Sequence, residues 1–206
     1  MTMKTEIIST QDPKAIPYAM KMFESGKLVA FPTDTIYGLA ALISDREGIA
    51  KLYQAKGREE TKAIAVLMHA IDDLWRVAID VSPIAQALAK RFWPGPLTLI
   101  APRHPQLPDN LSPAPTLGVR VPDHPDALAL MKVSGPLAVT SANLSGYQEA
   151  RTAQDVFDQL EGRAAIILDG GRTPGGQAST VLDCLTPALK ILRPGPLSLE
   201  DLLGAL

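Results

Sequence analysis

Several short segments of this chain concentrate side chains that can do chemistry. The densest is Phe31-Pro32-Thr33-Asp34-Thr35-Ile36-Tyr37-Gly38, which packs hydroxyls, a carboxylate and a phenol into one stretch. It follows an apolar run, Leu28 to Phe31, that reads as a buried strand stopped by Pro32. Ligands of open α/β sheets bind near the carboxyl ends of strands, so the placement suits a site. It suits equally a turn in which Thr and Asp satisfy local backbone groups. Val139-Thr140-Ser141-Ala142-Asn143-Leu144-Ser145-Gly146 repeats the arrangement after a second strand-like run. Its hydroxyls and amide could position a polar ligand or simply make a turn.

Cations gather in Lys56-Gly57-Arg58, with Lys62 close behind. A guanidinium beside a glycine matches the fork geometry of phosphate oxygens. Cations also complement the macrodipole at a helix C-terminus, so a structural reading stands beside the ligand one. Asp169-Gly170-Gly171-Arg172-Thr173-Pro174-Gly175-Gly176 is glycine-rich, but no Gly-Lys-Ser/Thr follows and the spacing is not that of a dinucleotide fingerprint. A flexible loop or lid is the expectation there. His69, His104 and His124 share no metal-ligand spacing, and no Gly-x-Ser-x-Gly elbow occurs. The lone cysteine, Cys184, sits in a strand pattern and reads as a core residue rather than a nucleophile. Hydroxyls, amides, Lys and Arg suit binding and alignment of an anionic substrate better than acid–base work.

These segments need elements to hold them. With 206 residues, 46% apolar and 20% charged, the chain can bury a full core without disulfides. A net charge of −2 offers no global field for nucleic acid. The N-terminus lacks the apolar run of a signal peptide and no stretch is long enough to span a bilayer, so a cytoplasmic protein is expected. Strand-like runs at Glu6 to Ile8, Leu28 to Phe31, Gly38 to Ile43, Ala63 to Met68, Leu97 to Ile100, Leu117 to Val121, Leu137 to Thr140 and Ala165 to Leu168 alternate with helical patterns. One helix carries Ile16, Ala19, Met20 and Phe23 before Gly26. A second carries Ile49, Leu52 and Tyr53 and ends near Gly57. A third carries Ile84, Ala87, Leu88 and Phe92 after the Ser82-Pro83 cap, and a fourth covers Pro125 to Met131. Thr152/Asp155 and Ser198/Asp201 are capping boxes. Thr180 to Cys184 and Leu189 to Leu192 flank a Thr186-Pro187 turn as a hairpin. The expectation is an α/β fold, an open twisted mixed sheet with flanking helices, in one domain over residues 1–206. Pro94-Gly95-Pro96-Leu97-Thr98-Leu99 is echoed by Pro194-Gly195-Pro196-Leu197-Ser198-Leu199, which reads as two similar turns.

Taken in order, the segments resemble the YrdC-like family, whose enzyme members are threonylcarbamoyl-AMP synthases. The resemblance runs through the Phe31–Leu39 segment, Lys56-Gly57-Arg58, Phe92-Trp93-Pro94-Gly95-Pro96-Leu97-Thr98 and Val119-Arg120-Val121-Pro122-Asp123-His124-Pro125. It continues through Thr140–Gly146, Asp169-Gly170-Gly171, Ser179-Thr180-Val181 and Leu192-Arg193-Pro194-Gly195. It implies a nucleotidyltransferase that uses L-threonine, bicarbonate and ATP, with Mg²⁺ carried by ATP, to make threonylcarbamoyl-adenylate and pyrophosphate. It implies that a tRNA-modifying transferase complex receives the product for N6-threonylcarbamoyladenosine (t6A); weak tRNA binding and double-stranded RNA binding are further expectations, and binding that is only a basic-groove property should be weak.

By the same resemblance Lys56, Arg58, Ser141 and Asn143 fall on the family's K-x-R and S-x-N signatures and are the candidate catalytic residues. Lys56, Arg58, Lys62, Thr116, Asn143, Arg151 and Arg193 match ATP-binding positions. Thr33, Thr35, Arg120, Ser141 and Ser179 match threonine-binding ones, with Arg120 gripping the carboxylate. No protein metal site is implied. The chain departs from the family with Glu59 where many members have Pro, Ala63-Ile64 for Pro-Leu, and Leu67 where a His often contacts threonine. A non-catalytic RNA-binding module of the same fold, for example in ribosome assembly, is the alternative. A related carbamoyl-adenylate enzyme acting on another amine is a third.

Overall fold

The computed structural model describes residues 4–206. In chain order the elements are β1 (Glu6–Ser9), α1 (Ala15–Glu24), β2 (Val29–Phe31), β3 (Gly38–Leu42), α2 (Arg46–Lys56), β4 (Ala65–Leu67), α3 (Leu74–Val77), α4 (Pro83–Phe92) and β5 (Leu97–Pro102). There follow β6 (Thr116–Arg120), α5 (Pro125–Ser134), β7 (Leu137–Ser141), α6 (Ala153–Leu160), β8 (Ile166–Asp169), β9 (Thr180–Asp183), β10 (Lys190–Arg193) and α7 (Leu199–Leu203). All strands join one sheet in the order β1-β8-β2-β3-β7-β4-β6-β5-β9-β10. The sheet is mixed: β8 is parallel to β1 and β2, β4 to β6 and β5 to β9, and the other neighbours are antiparallel. No helix among the described residues is long and apolar enough to cross a membrane.

Local chemistry starts the helices where the sequence places them. Asp45 caps α2 by accepting from Gly48 N at 2.9 Å, and Ser82 caps α4 by accepting from Ala85 N at 3.2 Å. Both expected capping boxes form, on α6 and α7. Two helix faces depart from expectation. In α1 the fully buried stripe is Ala15, Ala19, Met22 and Phe23, with Ile16 and Met20 at its margin. In α4 it is Ala85, Leu88 and Ala89, while Ala87 is exposed and Ile84 and Phe92 are half-buried. Small alanines let these helices approach the sheet closely, and a reading weighted to large side chains rotates the face by about one residue. The expected strand at Ala63 to Met68 shortens to β4, and the short helix α3 carries no sequence signal of its own.

Strand alternation divides the core into two layers. Along β7, Leu137 and Val139 join α1 and α5, whereas Ala138 joins the layer that also holds α2, α4 and α6. Along β8, Ile166 and Leu168 face the first layer and Ile167 the second. On the α1/α5 face these helices pack with strands β2, β3, β4, β7 and β8. The alternate residues of β5, β6 and β9 on that face carry no helix and remain open as a concave surface.

Two Pro-Gly-Pro turns close this open half. Thr180 ties them together: its N–H donates to Pro96 O at 3.0 Å, and its hydroxyl donates to Leu197 O at 2.9 Å and accepts from Leu197 N at 3.0 Å. The echo is thus two turns meeting at one strand. Gly195 lies so close to this strand that a Cβ would come within 2.3 Å of Thr180 N and 2.6 Å of Ser179 C. Gly195→Ala should therefore destabilise the fold by about 1–3 kcal/mol, the cost of overpacking against backbone, measured by denaturant unfolding with circular dichroism. A midpoint equal to that of the parent would show that the turn has room to yield.

Candidate functional site

The open half of the sheet face holds a pocket of about 260 Å³. Its floor is sheet: Gly38, Ala65, Leu67, Thr98, Ile100, Gly118, Arg120, Val139, Ser141 and Val181 line it. Period-2 alternation explains the membership, since Thr98 and Ile100 point here while Leu97 and Leu99 point into the other layer. Loops add Thr33, Thr35, Ile36, Tyr37, Arg58, Ala63, Ala178 and Ser179, and Thr140 of β7 and Arg193 of β10 complete the lining. The site therefore lies on the face of the sheet and not in a crevice at strand carboxyl ends, as the first segment's position suggested. A mixed sheet has no common carboxyl edge, and the space is made by the missing helix cover.

Of the candidate residues, Thr33, Thr35, Arg58, Arg120, Ser141, Ser179 and Arg193 share this wall. The turn reading and the site reading of Thr33–Tyr37 both hold. Thr33 Oγ1 donates to Ile36 O at 2.7 Å and accepts from Thr35 N at 3.1 Å, while the same bend aims the hydroxyls of Thr33 and Thr35 at the pocket. Arg120 is 4% exposed. Its Nε donates to Gly95 O at 2.8 Å, Nη1 to Thr35 Oγ1 at 2.9 Å and Nη2 to Asp34 Oδ1. Burial pulls its pKa down, and the charge and hydrogen bond of Asp34 oppose this. Ser179 Oγ meets Thr98 Oγ1 at 2.8 Å, and Arg193 Nη2 donates to Ser179 O at 2.9 Å and to Ser179 Oγ at 3.0 Å. Arg58 leans on its own loop, with Nη2 donating to Ala63 O at 3.0 Å.

Lys56, Lys62, Thr116, Asn143 and Arg151 do not line the wall. Lys56 is 2% exposed beneath the Ser141–Ser145 loop. Its Nζ donates to Ser141 O, to Asn143 O at 2.5 Å, to Ser141 Oγ at 3.2 Å and to Asn143 Oδ1 at 3.3 Å, and its carbonyl accepts from Ser145 N at 2.9 Å. Burial lowers its pKa to about 7, Arg58 adds to this and Glu149 opposes it. Its environment is that of a strut between α2 and the loop after β7. Gly57, at φ +58°, makes the turn possible: Gly57 N donates to Gln54 O and Arg58 N to Tyr53 O, closing α2 so that Lys56 points inward and Arg58 toward the pocket. Asn143 spends its amide on Leu144 O and Tyr147 O. Lys62 is exposed and pairs with Glu59 at 3.7 Å. Thr116 lies two and four residues before Gly118 and Arg120, on their face but beyond the wall. Arg151 lies against Gly176 with its Nε buried and unpartnered.

Sequence reasoning missed Asp34 as the partner of Arg120, and Thr98 and Gly118 as floor. A glycine inside a strand signals close approach, so Gly118 was legible; Thr98 was not, because its strand reads as uniformly buried. The glycine-rich segment is tied down rather than free. Tyr37 Oη donates to Gly171 O at 2.8 Å, Thr173 N to Arg151 O at 2.9 Å, Gly175 N to Asp34 O at 2.9 Å and Gly176 N to Thr35 O at 2.8 Å. Burial, then the charge of Asp169, push the Tyr37 phenol upward, so it remains a donor. Cys184 is buried and its thiol is pushed up to about 11 by burial, as a core residue requires.

Lys56→Met should strand the carbonyls of Ser141 and Asn143 beneath the loop. The expected loss is about 1–3 kcal/mol for each buried acceptor left unpaired, read as a lower denaturation midpoint. No loss of stability would mean that the strut carries no load.

Comparison with known proteins agrees with this architecture. The Sua5/YciO/YrdC family model, described as telomere recombination, matches residues 21–195. A Bacillus subtilis protein named threonylcarbamoyl-AMP synthase is 43% identical over 204 residues, covering 96% of this chain and 58% of that protein. One of the same name from Pyrococcus abyssi is 39% identical over 189 residues, covering 91% of this chain and 56% of that one. The crystal structure of Pyrococcus abyssi Sua5 complexed with L-threonine superposes with a TM-score of 0.92 at 36% identity, over 98% of this chain and 60% of that chain. The chain thus spans a little over half the length of these relatives. On the family match, the shared identity and the sheet that carries the pocket, this chain belongs to the Sua5/YciO/YrdC family.

Proposed function

We propose that the pocket binds L-threonine and ATP and, with bicarbonate, forms threonylcarbamoyl-adenylate and pyrophosphate. One observation carries the reading: Arg58, Arg120 and Arg193 converge with hydroxyls of Thr33, Thr35, Ser141 and Ser179 on one uncovered sheet face. The relatives named for this product and the Sua5 structure with L-threonine support it.

Chemically, the threonine nitrogen adds to the bicarbonate carbon with loss of water, giving a carbamate. A carbamate oxygen then attacks the α-phosphorus of ATP, and the bond to the β-phosphate oxygen breaks as pyrophosphate leaves. Arg120 holds the amino-acid carboxylate through its unused N–H groups. Arg58 and Arg193 face the phosphates and stabilise the charge that builds on them. Catalysis is mostly alignment in a preorganised pocket. Lys56 and Asn143 act from below by fixing the loop that presents Ser141. Arg151, Lys62 and Thr116, which stand off the wall, belong to the nucleotide's outer reach. Among the described residues no three His, Cys, Asp or Glu side chains come together as a metal site, and the Asp34 carboxylate is committed to Arg120. Mg²⁺ would come in on the nucleotide's phosphates and neutralise their charge there. The activated product would pass to a transferase that installs t6A on tRNA.

Purified protein should release pyrophosphate from ATP only with L-threonine and bicarbonate both present, in a coupled phosphate assay across a panel of amino acids. Release that ignores threonine, or none at all, removes the proposal. The two ends of the pocket should also separate. Arg58→Ala should slow pyrophosphate release at least about tenfold, or about 1.4 kcal/mol, with threonine binding intact. Arg120→Ala should weaken threonine binding by about 1.5–3 kcal/mol while ATP still binds. Calorimetric titration of each folded variant with each ligand checks the assignment, and the reversed pattern refutes it.

A further inference from the structure

Asp34 is not on the pocket wall, yet it meets a wall residue from behind. The Asp34 side chain is 12% exposed and that of Arg120 5%. A guanidinium offers five N–H donors. Gly95 O takes Nε, Thr35 Oγ1 takes one N–H of Nη1, and Asp34 Oδ1 takes one N–H of Nη2. One N–H is left on each terminal nitrogen, which is the complement a carboxylate needs for a two-bond grip. Gly95 and Thr35 are neutral acceptors, so Asp34 supplies the only charge that balances the buried guanidinium within its hydrogen-bond shell. Lost, it leaves a buried cation unpaired and free to turn.

Asp34 is also held through its backbone. Its carbonyl accepts from Gly175 N at 2.9 Å, and the next carbonyl, of Thr35, accepts from Gly176 N at 2.8 Å. The segment so clipped runs on to Ala178 and Ser179, both on the wall. One residue therefore joins the strand arginine to the glycine-rich segment.

We propose that Asp34 is a positioning residue: it orients Arg120 so that two N–H groups face the pocket, and it registers that arginine against the Gly170–Ser179 segment. Its effect on threonine rests on the amino-acid reading of the pocket; its effect on Arg120 does not.

The test compares the parent protein, Asp34→Asn and Asp34→Ala by three measurements. These are the NMR signal of the Arg120 Nε–H group, amide hydrogen exchange over residues 170–179, and calorimetric titration with L-threonine and with ATP. In the parent, the Arg120 Nε–H signal should be distinct and slow to exchange. Asp34→Asn keeps an oxygen for Nη2 but removes the balancing charge, so the signal should persist with faster exchange and threonine affinity should fall by less than in Asp34→Ala. In Asp34→Ala the signal should broaden into solvent exchange and exchange over 170–179 should quicken. Threonine affinity should then drop about tenfold or more while ATP affinity stays within about twofold. An unchanged Arg120 signal and unchanged exchange in the alanine variant overturn the proposal, as does an equal loss of both ligands, which marks general damage. If the parent binds no threonine, the amino-acid reading falls, and the Arg120 signal with the exchange data still decides the role of Asp34. Should Asp34→Ala not fold, Asp34→Glu, which displaces the acceptor by one methylene, takes its place with changes expected in the same direction.

Discussion

A buried guanidinium tolerates few arrangements, and Arg120 is almost wholly buried in the middle of the sheet's open half. Asp34 lies against it as the charged partner, and a carbonyl and a hydroxyl take two more of its donors, leaving one N–H on each terminal nitrogen. These partners come from two turns: Gly95 from the first Pro-Gly-Pro, Thr35 and Asp34 from the bend after β2. The turns must therefore sit correctly before the arginine can be buried at all. The pocket inherits its shape from that requirement.

The room for the pocket comes from an imbalance in the layers. On one face helices pack along much of the sheet; on the other, α1 and α5 pack with one half and leave β5, β6 and β9 bare. A bare sheet face would ordinarily be filled with large apolar side chains. Here Gly118, Ala65 and Thr98 keep the floor low, and Leu67, Ile100 and Val139 give it apolar patches. Such a floor suits a ligand with both apolar and charged parts, with arginines at the rim for the charged ones. Leu67, the cross-strand partner of Arg120, makes the wall beside the arginine apolar where a histidine is common in the family pattern.

Lys56 shows how one signature can serve geometry rather than contact. Its ammonium is surrounded by oxygens of the Ser141–Asn143 loop, so the K-x-R and S-x-N segments are parts of one hydrogen-bonded body. Arg58 reaches the pocket because Gly57 closes the helix between them with a left-handed turn. The spacing of lysine and arginine around a glycine thus encodes an inward strut and an outward cation from adjacent positions.

Much of this was legible in the residues. Alternating apolar runs and helix caps at Ser82, Thr152 and Ser198 act over a few neighbours, so they specify element type and those helix starts directly. The clustering of hydroxyls and cations marked Thr33, Thr35, Arg58 and Ser141, and the family resemblance added Ser179 and Arg193; the structure brings all six onto one wall. Other features were decided only in three dimensions. Which alanines of α1 and α4 face the sheet depends on how closely layers approach. Whether Lys56 and Asn143 face a ligand or each other depends on the meeting of α2 with a loop far along the chain. The pairing of Asp34 with Arg120 joins the bend after β2 to the end of β6, which is not a neighbour of β2 in the sheet, and a carboxylate in a turn-rich stretch carries no mark of a distant partner. Local sequence thus determined the elements and the chemistry available to them. Long-range packing decided which groups share a surface, because burying a charge forces partners together that the chain itself keeps apart.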